Sequence, residues 1–260
     1  LFLSFVPIFI AAQDTIQQDT MFRKKTFIED DPVVIMLDSL ASLKIFEDSG
    51  FPKANQYQNW NTYEDNDVPG FPDSVYRERT ARMNDQSPFE FVYNQEVKKF
   101  IELYAVRKRK LTARILGLSQ IYFPLFEEQL DKYDMPLELK YLAVIESALN
   151  PTANSPAGAK GLWQFMYGTG KGYGLNRFDP YKATIAACEH LSDLYDIYGS
   201  WSLALAAYNS GAGNVNKAIR RSGGMKNFWA IQKYLPKETG SYVPAFIAAS
   251  YVLTYASEHK

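Results

Sequence analysis

The chain has 260 residues, of which 47% are hydrophobic, so it is long enough to bury a core of its own. Its 28 Lys and Arg residues nearly balance its 29 Asp and Glu residues, which leaves a formal net charge of −1. This balance excludes a general attraction to nucleic acid or to an anionic membrane, because the chain has no global positive field.

The first segment, residues 1–12, is nearly all apolar, and the chain turns polar at Gln13 and Asp14. Such a segment is too short to span a bilayer, and the small pair Ala11 and Ala12 fits a cleavage site. The pattern predicts the back half of a secretion signal, with a buried N-terminal helix as the alternative. We therefore expect export to the periplasm, with association to the outer membrane or the cell wall left open.

Residues 13–75 are polar and irregular, and Asn, Asp, Pro and Gly cluster over 55–73, which predicts a linker-like segment. One helical run, 33–46, interrupts it. Residues 76–118 are predicted to form a helical extension, because apolar residues recur there at helical spacing. The last segment, 119–260, is a series of punctuated helices without the alternation of a strand. The predicted fold class is therefore all-α.

Capping residues mark the ends of these helices. Pro136 is expected to open a helix over 137–149, and Asn150–Pro151 to close it, because a residue before proline disfavours helical geometry. Asp179 is expected to cap the next helix, which Gly199 ends. The expected caps of three more helices are Ser200, Asn214 and either Thr239 or Ser241.

The helix predicted over 137–149 carries a carboxylate among apolar residues. Its apolar positions recur at offsets of three, four and seven, and Glu146 projects from one such stripe. Burial disfavours the charged form of a carboxylate, so its pKa should rise toward the range of a general acid. A structural, salt-bridged Glu is the alternative.

Two clusters follow that carry glycine and polar or aromatic residues. The stretch 155–166 combines glycines with Trp163 and Gln164, whose aromatic face and amide suit a saccharide. Its glycine spacing matches neither a phosphate-binding loop nor a dinucleotide fingerprint. The stretch 207–215, with Tyr208 and Asn209, lies between two predicted helices and could line the same cleft. Helix capping alone would also explain its glycines.

Four ordered motifs resemble those of family 1 lytic transglycosylases, of the glycoside hydrolase family 23 type. The resemblance extends over about 119–256 and is weaker over 76–118. The motifs are Glu146–Ser147 with Asn150–Pro151, AGAKGLWQFM at 157–166, AYNSGAGNV at 207–215 and ETGSYVP at 238–244.

The resemblance implies a lysozyme-like helical catalytic domain, of the goose-type and soluble lytic transglycosylase kind, over 119–260. It implies cleavage of the MurNAc–GlcNAc β-1,4 bond of peptidoglycan, with formation of 1,6-anhydro-MurNAc ends and no cofactor. Glu146 matches the catalytic acid and base, and Tyr242 matches the tyrosine that holds it. The expected substrate-binding residues are Ser147, Trp163, Gln164, Met166, Tyr208 and Asn209.

The sequence also bears on the number of catalytic acids, on alternative functions and on metal binding. Glu138 is expected on a different face from Glu146 and Asp179 is expected to be a cap, so the sequence offers one good acid rather than a pair. A hydrolytic goose-type lysozyme and a non-catalytic peptidoglycan-binding protein remain the alternatives. His190 and His259 lack metal-ligand spacing, so no metal is predicted. Members of this branch often continue into cell-wall-binding LysM modules. None is present before Lys260, so we expect such modules to lie beyond the C-terminus of a truncated chain or to be lacking.

Overall fold

The computed structural model describes residues 31–41 and 70–259. Within these ranges all regular structure is helical, and the only β-type pairings are isolated bridges that Lys160 makes with Asn154 and Phe165. The predicted all-α class is confirmed. The helices are α1 Pro32–Ala41, α2 Asp73–Asp85, α3 Gln95–Glu102, a π-helix Leu103–Arg107, α4 Arg109–Lys132, a 3₁₀-helix Leu137–Tyr141, α5 Leu142–Ser147, α6 Tyr167–Gly172, α7 Pro180–Tyr198, α8 Trp201–Ser210, α9 Ala212–Arg221, α10 Phe228–Ile231, a 3₁₀-helix Gln232–Tyr234, α11 Lys237–Thr254 and α12 Ala256–His259.

Helix α11 is the central element of the fold. Every residue from 239 to 252 is buried, as expected of a helix that is apolar or small on all faces. It packs against α1, α3, α5 and α8. Pro244 has no N–H, so the carbonyl of Gly240 one turn earlier lacks its helical donor. The Gln232 side chain replaces that donor, with Nε2 2.9 Å from the Gly240 oxygen.

The helix predicted over 137–149 is shorter and less regular than expected. Residues 137–141 form a 3₁₀-helix, and α5 ends at Ser147 because Ala148 (φ 51°) and Leu149 (φ 61°) adopt the left-handed conformation. Leu137, the first residue of the predicted helix, is 42% exposed. The left-handed pair ends α5 just after Glu146 and Ser147, and the glycine-rich loop 155–166 follows five residues later.

The caps of α7 agree with the prediction. Asp179 accepts a hydrogen bond from the Lys182 N–H at 3.1 Å, and Gly199 ends the helix in the left-handed conformation. Ser200 occupies the N-cap position of α8 but makes no side-chain capping bond. The ends of α7 could be predicted because helix capping depends on residues close together in the sequence.

Pro136 precedes the 3₁₀-helix that begins at Leu137, as expected, but the predicted caps Asn214 and Thr239 or Ser241 are wrong. Asn214 lies inside α9, where its side chain donates to the Ser210 carbonyl at the end of α8. Thr239 and Ser241 lie inside α11, which begins at Lys237. Their hydroxyls bond to Asn209 and Asp31 instead. Tertiary partners, which sequence spacing does not reveal, therefore occupy the side chains expected to cap.

A helix from the segment predicted to be linker-like packs on the core. Helix α1 coincides with the first part of the predicted run 33–46, and the rest of that run lies outside the described residues, as does the predicted signal at 1–12. Helix α1 contacts α5 and α11. Asp31 accepts from the Val33 N–H at 2.9 Å and from the Ser241 hydroxyl, so it caps α1 and joins it to α11. The predicted extension also begins slightly earlier than expected, at Asp73.

Removal of this buried carboxylate should destabilise the protein. We expect Asp31→Ala to lower the free energy of unfolding by about 1–3 kcal/mol, because Ser241 and the Val33 N–H lose a buried acceptor. Denaturant unfolding of Asp31→Ala, Ser241→Ala and the double variant would measure the coupling between the two side chains. Equal stability of Asp31→Ala and the unmodified chain would contradict the contribution of this contact.

None of the described helices combines the length and the apolar character that a membrane span requires.

Candidate active site

Glu146 lies in the last turn of α5, just before the chain reverses. It is 9% exposed, and its neighbours 142–145 and 147–150 are all buried. The apolar spacing of the sequence predicted this burial. Among the described residues, the groups that act on the pKa of Glu146 are Tyr242 and Glu238 rather than a Lys or an Arg, so the alternative of a salt-bridged structural residue is not supported.

Tyr242 from α11 is the hydrogen-bonding partner of this carboxyl group. The Tyr242 hydroxyl donates to Glu146 Oε1, and the tyrosine itself is 2% exposed. The two residues are 96 positions apart and meet because α5 and α11 pack against each other. The expected pairing of Tyr242 with Glu146 is therefore present in the fold.

The surroundings of Glu146 change its proton affinity. Burial raises the pKa of Glu146 to about 8, the hydrogen bond from Tyr242 acts in the opposite direction, and the negative charge of Glu238 adds a smaller upward contribution. At neutral pH the group is therefore mostly protonated. A protonated carboxyl group with little exposure to solvent is suited to general acid catalysis.

The end of α8 connects this pair to the neighbouring elements. The Tyr208 hydroxyl donates to the Trp163 carbonyl at 2.7 Å. Asn209 accepts from the Thr239 hydroxyl at 2.8 Å and donates to Glu238 at 3.3 Å. The stretch 207–215 thus joins the glycine-rich loop to the first turn of α11, which carries Tyr242.

Glu238 belongs to the motif at 238–244, but the sequence alone predicts no role for it. It is exposed, in the first turn of α11, and close enough to Glu146 to act on its pKa. A signal for it was available, because Glu238 and Tyr242 are four residues apart and such positions share one face of a helix.

The glycine-rich loop is held against α5 by buried hydrogen bonds. The Ser147 hydroxyl donates to the carbonyls of Leu162 at 2.8 Å and Ala143 at 3.1 Å. Gly161 has φ +77°, and a Cβ there would lie 1.9 Å from the Arg177 carbonyl oxygen, so only glycine fits. Gln164, with φ 47°, donates from its amide to the Gly161 carbonyl at 2.8 Å.

Two of the predicted substrate-binding side chains are framework residues. Trp163 is fully buried, its Nε1 donates to Thr184 at 3.1 Å and its ring lies 4.9 Å from that of Phe126, so the expected aromatic face for a sugar is not available. Ser147 is also fully buried. The large apolar ring of Trp163 is more stable buried in the core than exposed to solvent, even though it belongs to a motif expected to bind substrate.

The other predicted substrate-binding residues remain accessible. Met166 is 47% exposed, and Gln164, Tyr208 and Asn209 are half-buried. They lie on the glycine-rich loop and at the end of α8, which hydrogen bonds join to α5 and α11. These four side chains are therefore accessible to a ligand.

The two histidines and the cysteine are buried or partly buried and are not in the group around Glu146. His190 Nδ1 lies 3.2 Å from the Tyr173 hydroxyl, and burial lowers the pKa of His190. His259 is buried, with its pKa lowered to about 4, chiefly by burial. Cys188 is a buried free thiol. Across 31–41 and 70–259, no group of three His, Cys, Asp or Glu residues is placed to hold a metal ion.

Comparison with known proteins gives a domain and several relatives. Residues 124–230 match the family model of the transglycosylase SLT domain. Membrane-bound lytic murein transglycosylase D of Escherichia coli (strain K12) is 41% identical over 136 residues, which cover 48% of this chain and 30% of that protein. Membrane-bound lytic murein transglycosylase F of Pseudoalteromonas translucida (strain TAC 125) is 33% identical over 153 residues, covering 50% and 32%.

A solved structure, the 70 kDa soluble lytic transglycosylase of Escherichia coli, is 29% identical, with a TM-score of 0.46 over 52% of this chain and 24% of that one. The chain spans about a third of the length of the curated relatives it matches. The motifs around Glu146, Gln164 and Tyr208 lie inside the matched SLT domain. Residues 124–230 of this chain therefore match a transglycosylase SLT domain, and about half of the chain is similar to lytic murein transglycosylases.

Proposed function

We propose that this chain is a peptidoglycan lytic transglycosylase that cleaves the MurNAc–GlcNAc β-1,4 bond and leaves 1,6-anhydro-MurNAc ends. The observation that carries the proposal is the buried Glu146, bonded to Tyr242 and with its pKa raised to about 8. The matched SLT domain and the relatives named as lytic murein transglycosylases support it.

In the proposed reaction Glu146 acts first as an acid and then as a base. It donates its proton to the glycosidic oxygen as the bond from that oxygen to C1 of MurNAc breaks, and the substrate's N-acetyl group stabilises the resulting cation. The carboxylate then takes the proton of the C6 hydroxyl as that oxygen bonds to C1. No water is consumed, and Glu146 ends protonated, ready for another cycle.

The neighbouring residues have separate roles in this proposal. Tyr242 holds Glu146 and stabilises the carboxylate that forms after proton transfer. Gln164, Met166, Tyr208 and Asn209 contact the glycan. Ser147 and Trp163 do not contact the glycan in this proposal. Their buried side chains make hydrogen bonds to Leu162 and Thr184 that hold the site in place.

A second candidate function is a hydrolytic lysozyme of the goose type, which the position of Glu238 favours. An exposed carboxylate beside the acid is the group that an inverting hydrolase needs to activate water. A non-catalytic peptidoglycan-binding protein is less consistent with the site, because binding alone does not require a buried, protonated acid.

The products of digestion distinguish these functions. We expect mass spectrometry of muropeptides released from purified sacculi to give 1,6-anhydro ends, one water lighter than lysozyme products and resistant to borohydride. An internal C6 hydroxyl has an entropic advantage over a diffusing water. Glu238→Gln should leave this product pattern unchanged. Mainly reducible MurNAc ends would favour the lysozyme, and no release at all would favour the binder.

The domain organisation and location belong to the same proposal. The catalytic domain extends over 119–260, after the helical extension over 76–118 and a segment over 13–75 whose helix α1 packs on α5 and α11. Residues 1–12 act as a signal for export to the periplasm, where the glycan strands of peptidoglycan are the partner. The names of two relatives as membrane-bound support a location in the cell envelope.

A further inference from the structure

A cavity of about 280 Å³ lies at the start of α8. Its wall is formed by residues from the loop between α2 and α3, from the end of α7, from the first turn of α8 and from the loop before α10. Tyr208 and Asn209, which belong to the proposed glycan site, lie near the other end of α8, roughly 10 Å from Trp201 by helix rise. The cavity is therefore separate from the site of the reaction proposed above.

Two stacked aromatic rings form the apolar part of this wall. The ring centroids of Tyr195 and Trp201 are 4.1 Å apart, and their planes are inclined by 23°. Both residues line the cavity, and Tyr195 is 36% exposed, so the pair is not enclosed by the core. The electron-rich face of such a ring attracts the C–H groups on the flat side of a sugar.

Polar groups with unused hydrogen-bonding capacity lie beside these rings. Ser202 lines the cavity and is only 4% exposed, and its hydroxyl has no hydrogen-bond partner among the described residues. Ser200 makes no capping bond with its side chain. The side-chain oxygen of Asn227 accepts from the Ala230 N–H at 3.2 Å, which leaves the amide N–H groups of Asn227 as donors. Because buried hydroxyls are normally hydrogen-bonded, Ser202 indicates a polar ligand.

The charges of the wall favour a neutral ligand over an anion. The wall contains one carboxylate, Glu90, and one ammonium group, Lys226, so its net charge is zero. A flat aromatic surface surrounded by hydroxyl and amide groups matches a saccharide, because each sugar unit has an apolar C–H face and a rim of polar substituents.

We propose that this cavity is a second saccharide site, which binds an N-acetylated sugar of a peptidoglycan glycan strand away from the bond that is cleaved. The inference deepens the proposed function and rests on it for the identity of the sugar. A protein that holds glycan strands at two places is retained on a sacculus more firmly than by either site alone. The second site therefore increases the affinity for sacculi without taking part in the chemical step.

Direct binding tests the cavity without relying on catalysis. The probe is the neutral trimer of N-acetylglucosamine, titrated into the full chain carrying Glu146→Gln and followed by NMR at the indole N–H of Trp201. We expect this signal to shift, and Tyr195→Ala to weaken the affinity about three- to tenfold, because one ring of the stacked pair is lost. Tyr181→Ala removes an exposed tyrosine at the other end of α7, outside the cavity, and should leave the affinity unchanged. An unshifted Trp201 signal, or equal weakening by both variants, would overturn the proposal.

Kinetics with two substrates separate this inference from the proposed function. Sacculi present strands to both sites at once, whereas a soluble tetrasaccharide binds to one site at a time. Tyr195→Ala, in a chain that retains Glu146, should raise KM for sacculi with kcat unchanged, and should digest the tetrasaccharide at the normal rate. An equal loss on both substrates would contradict the second site. Reducible products from the unmodified chain would contradict the transglycosylase alone and leave the NMR result valid. If Tyr195→Ala unfolds, Tyr195→Leu keeps an apolar contact with Trp201 without the aromatic ring and carries the same test.

Discussion

Glu146→Gln is expected to lower the rate of muropeptide release from purified sacculi by about 10²–10⁴-fold, the range for loss of a general acid or base. The amide is nearly the same size as the carboxyl, so packing around α5 and the contact with Tyr242 should persist. Gln has no proton to give to the glycosidic oxygen and cannot accept one from the C6 hydroxyl. Both halves of the proposed reaction are therefore lost together.

Two measurements make this result specific to Glu146. Glu138→Gln changes another carboxyl in the preceding 3₁₀-helix and should retain a near-normal rate. Pelleting with sacculi should show that Glu146→Gln still binds, because Gln164, Met166, Tyr208 and Asn209 are unchanged. Near-normal release by Glu146→Gln would place the catalytic acid elsewhere.

The same variant should also change how stability depends on pH. The pKa of Glu146 is raised from an ordinary value of 4.5 to about 8 in the folded state, so the folded protein binds the proton more tightly than the unfolded chain. Below pH 4.5 Glu146 is protonated in both states. As the pH rises from 4.5 to about 8, the unfolded chain releases this proton first, and the stability of the folded state falls.

Glu146→Gln removes this loss, so the variant should gain stability relative to the unmodified chain as the pH rises from about 4.5 to about 8. The gain should reach up to about 5 kcal/mol, at roughly 1.4 kcal/mol for each unit of pKa. Denaturant unfolding of both proteins at several pH values measures the difference. Among the described residues, the other groups that interact with Glu146 are Tyr242, Tyr208 and Glu238, all present in both proteins. A difference that does not vary with pH would contradict the raised pKa.

Local patterns in the sequence account for much of the fold. The all-α class follows from helical apolar spacing, and the ends of α7 follow from Asp179 and Gly199, because caps and periodicity depend on residues close along the chain. The burial of Glu146 follows from the same spacing. The motifs that identify the family are also local strings, so they could be read without coordinates.

The side chains that reach a ligand could not be predicted in this way. Trp163 and Met166 belong to one motif, but the first packs on Phe126 in the core and the second is exposed. Thr239 and Ser241 resemble caps, yet their hydroxyls bond to Asn209 and Asp31. Their partners are distant in sequence, and a hydrogen-bonding side chain goes to whichever buried partner the packing provides.

By itself, therefore, the sequence determined the helical class, the family motifs and an acid in an apolar setting. The contact of Tyr242 with that acid, the nearby position of Glu238 and the packing of α1 on both helices that carry the pair follow from the folded chain. Spacing along a helix specifies which residues share a face, but the identity of the opposite surface depends on how helices far apart in the chain pack together.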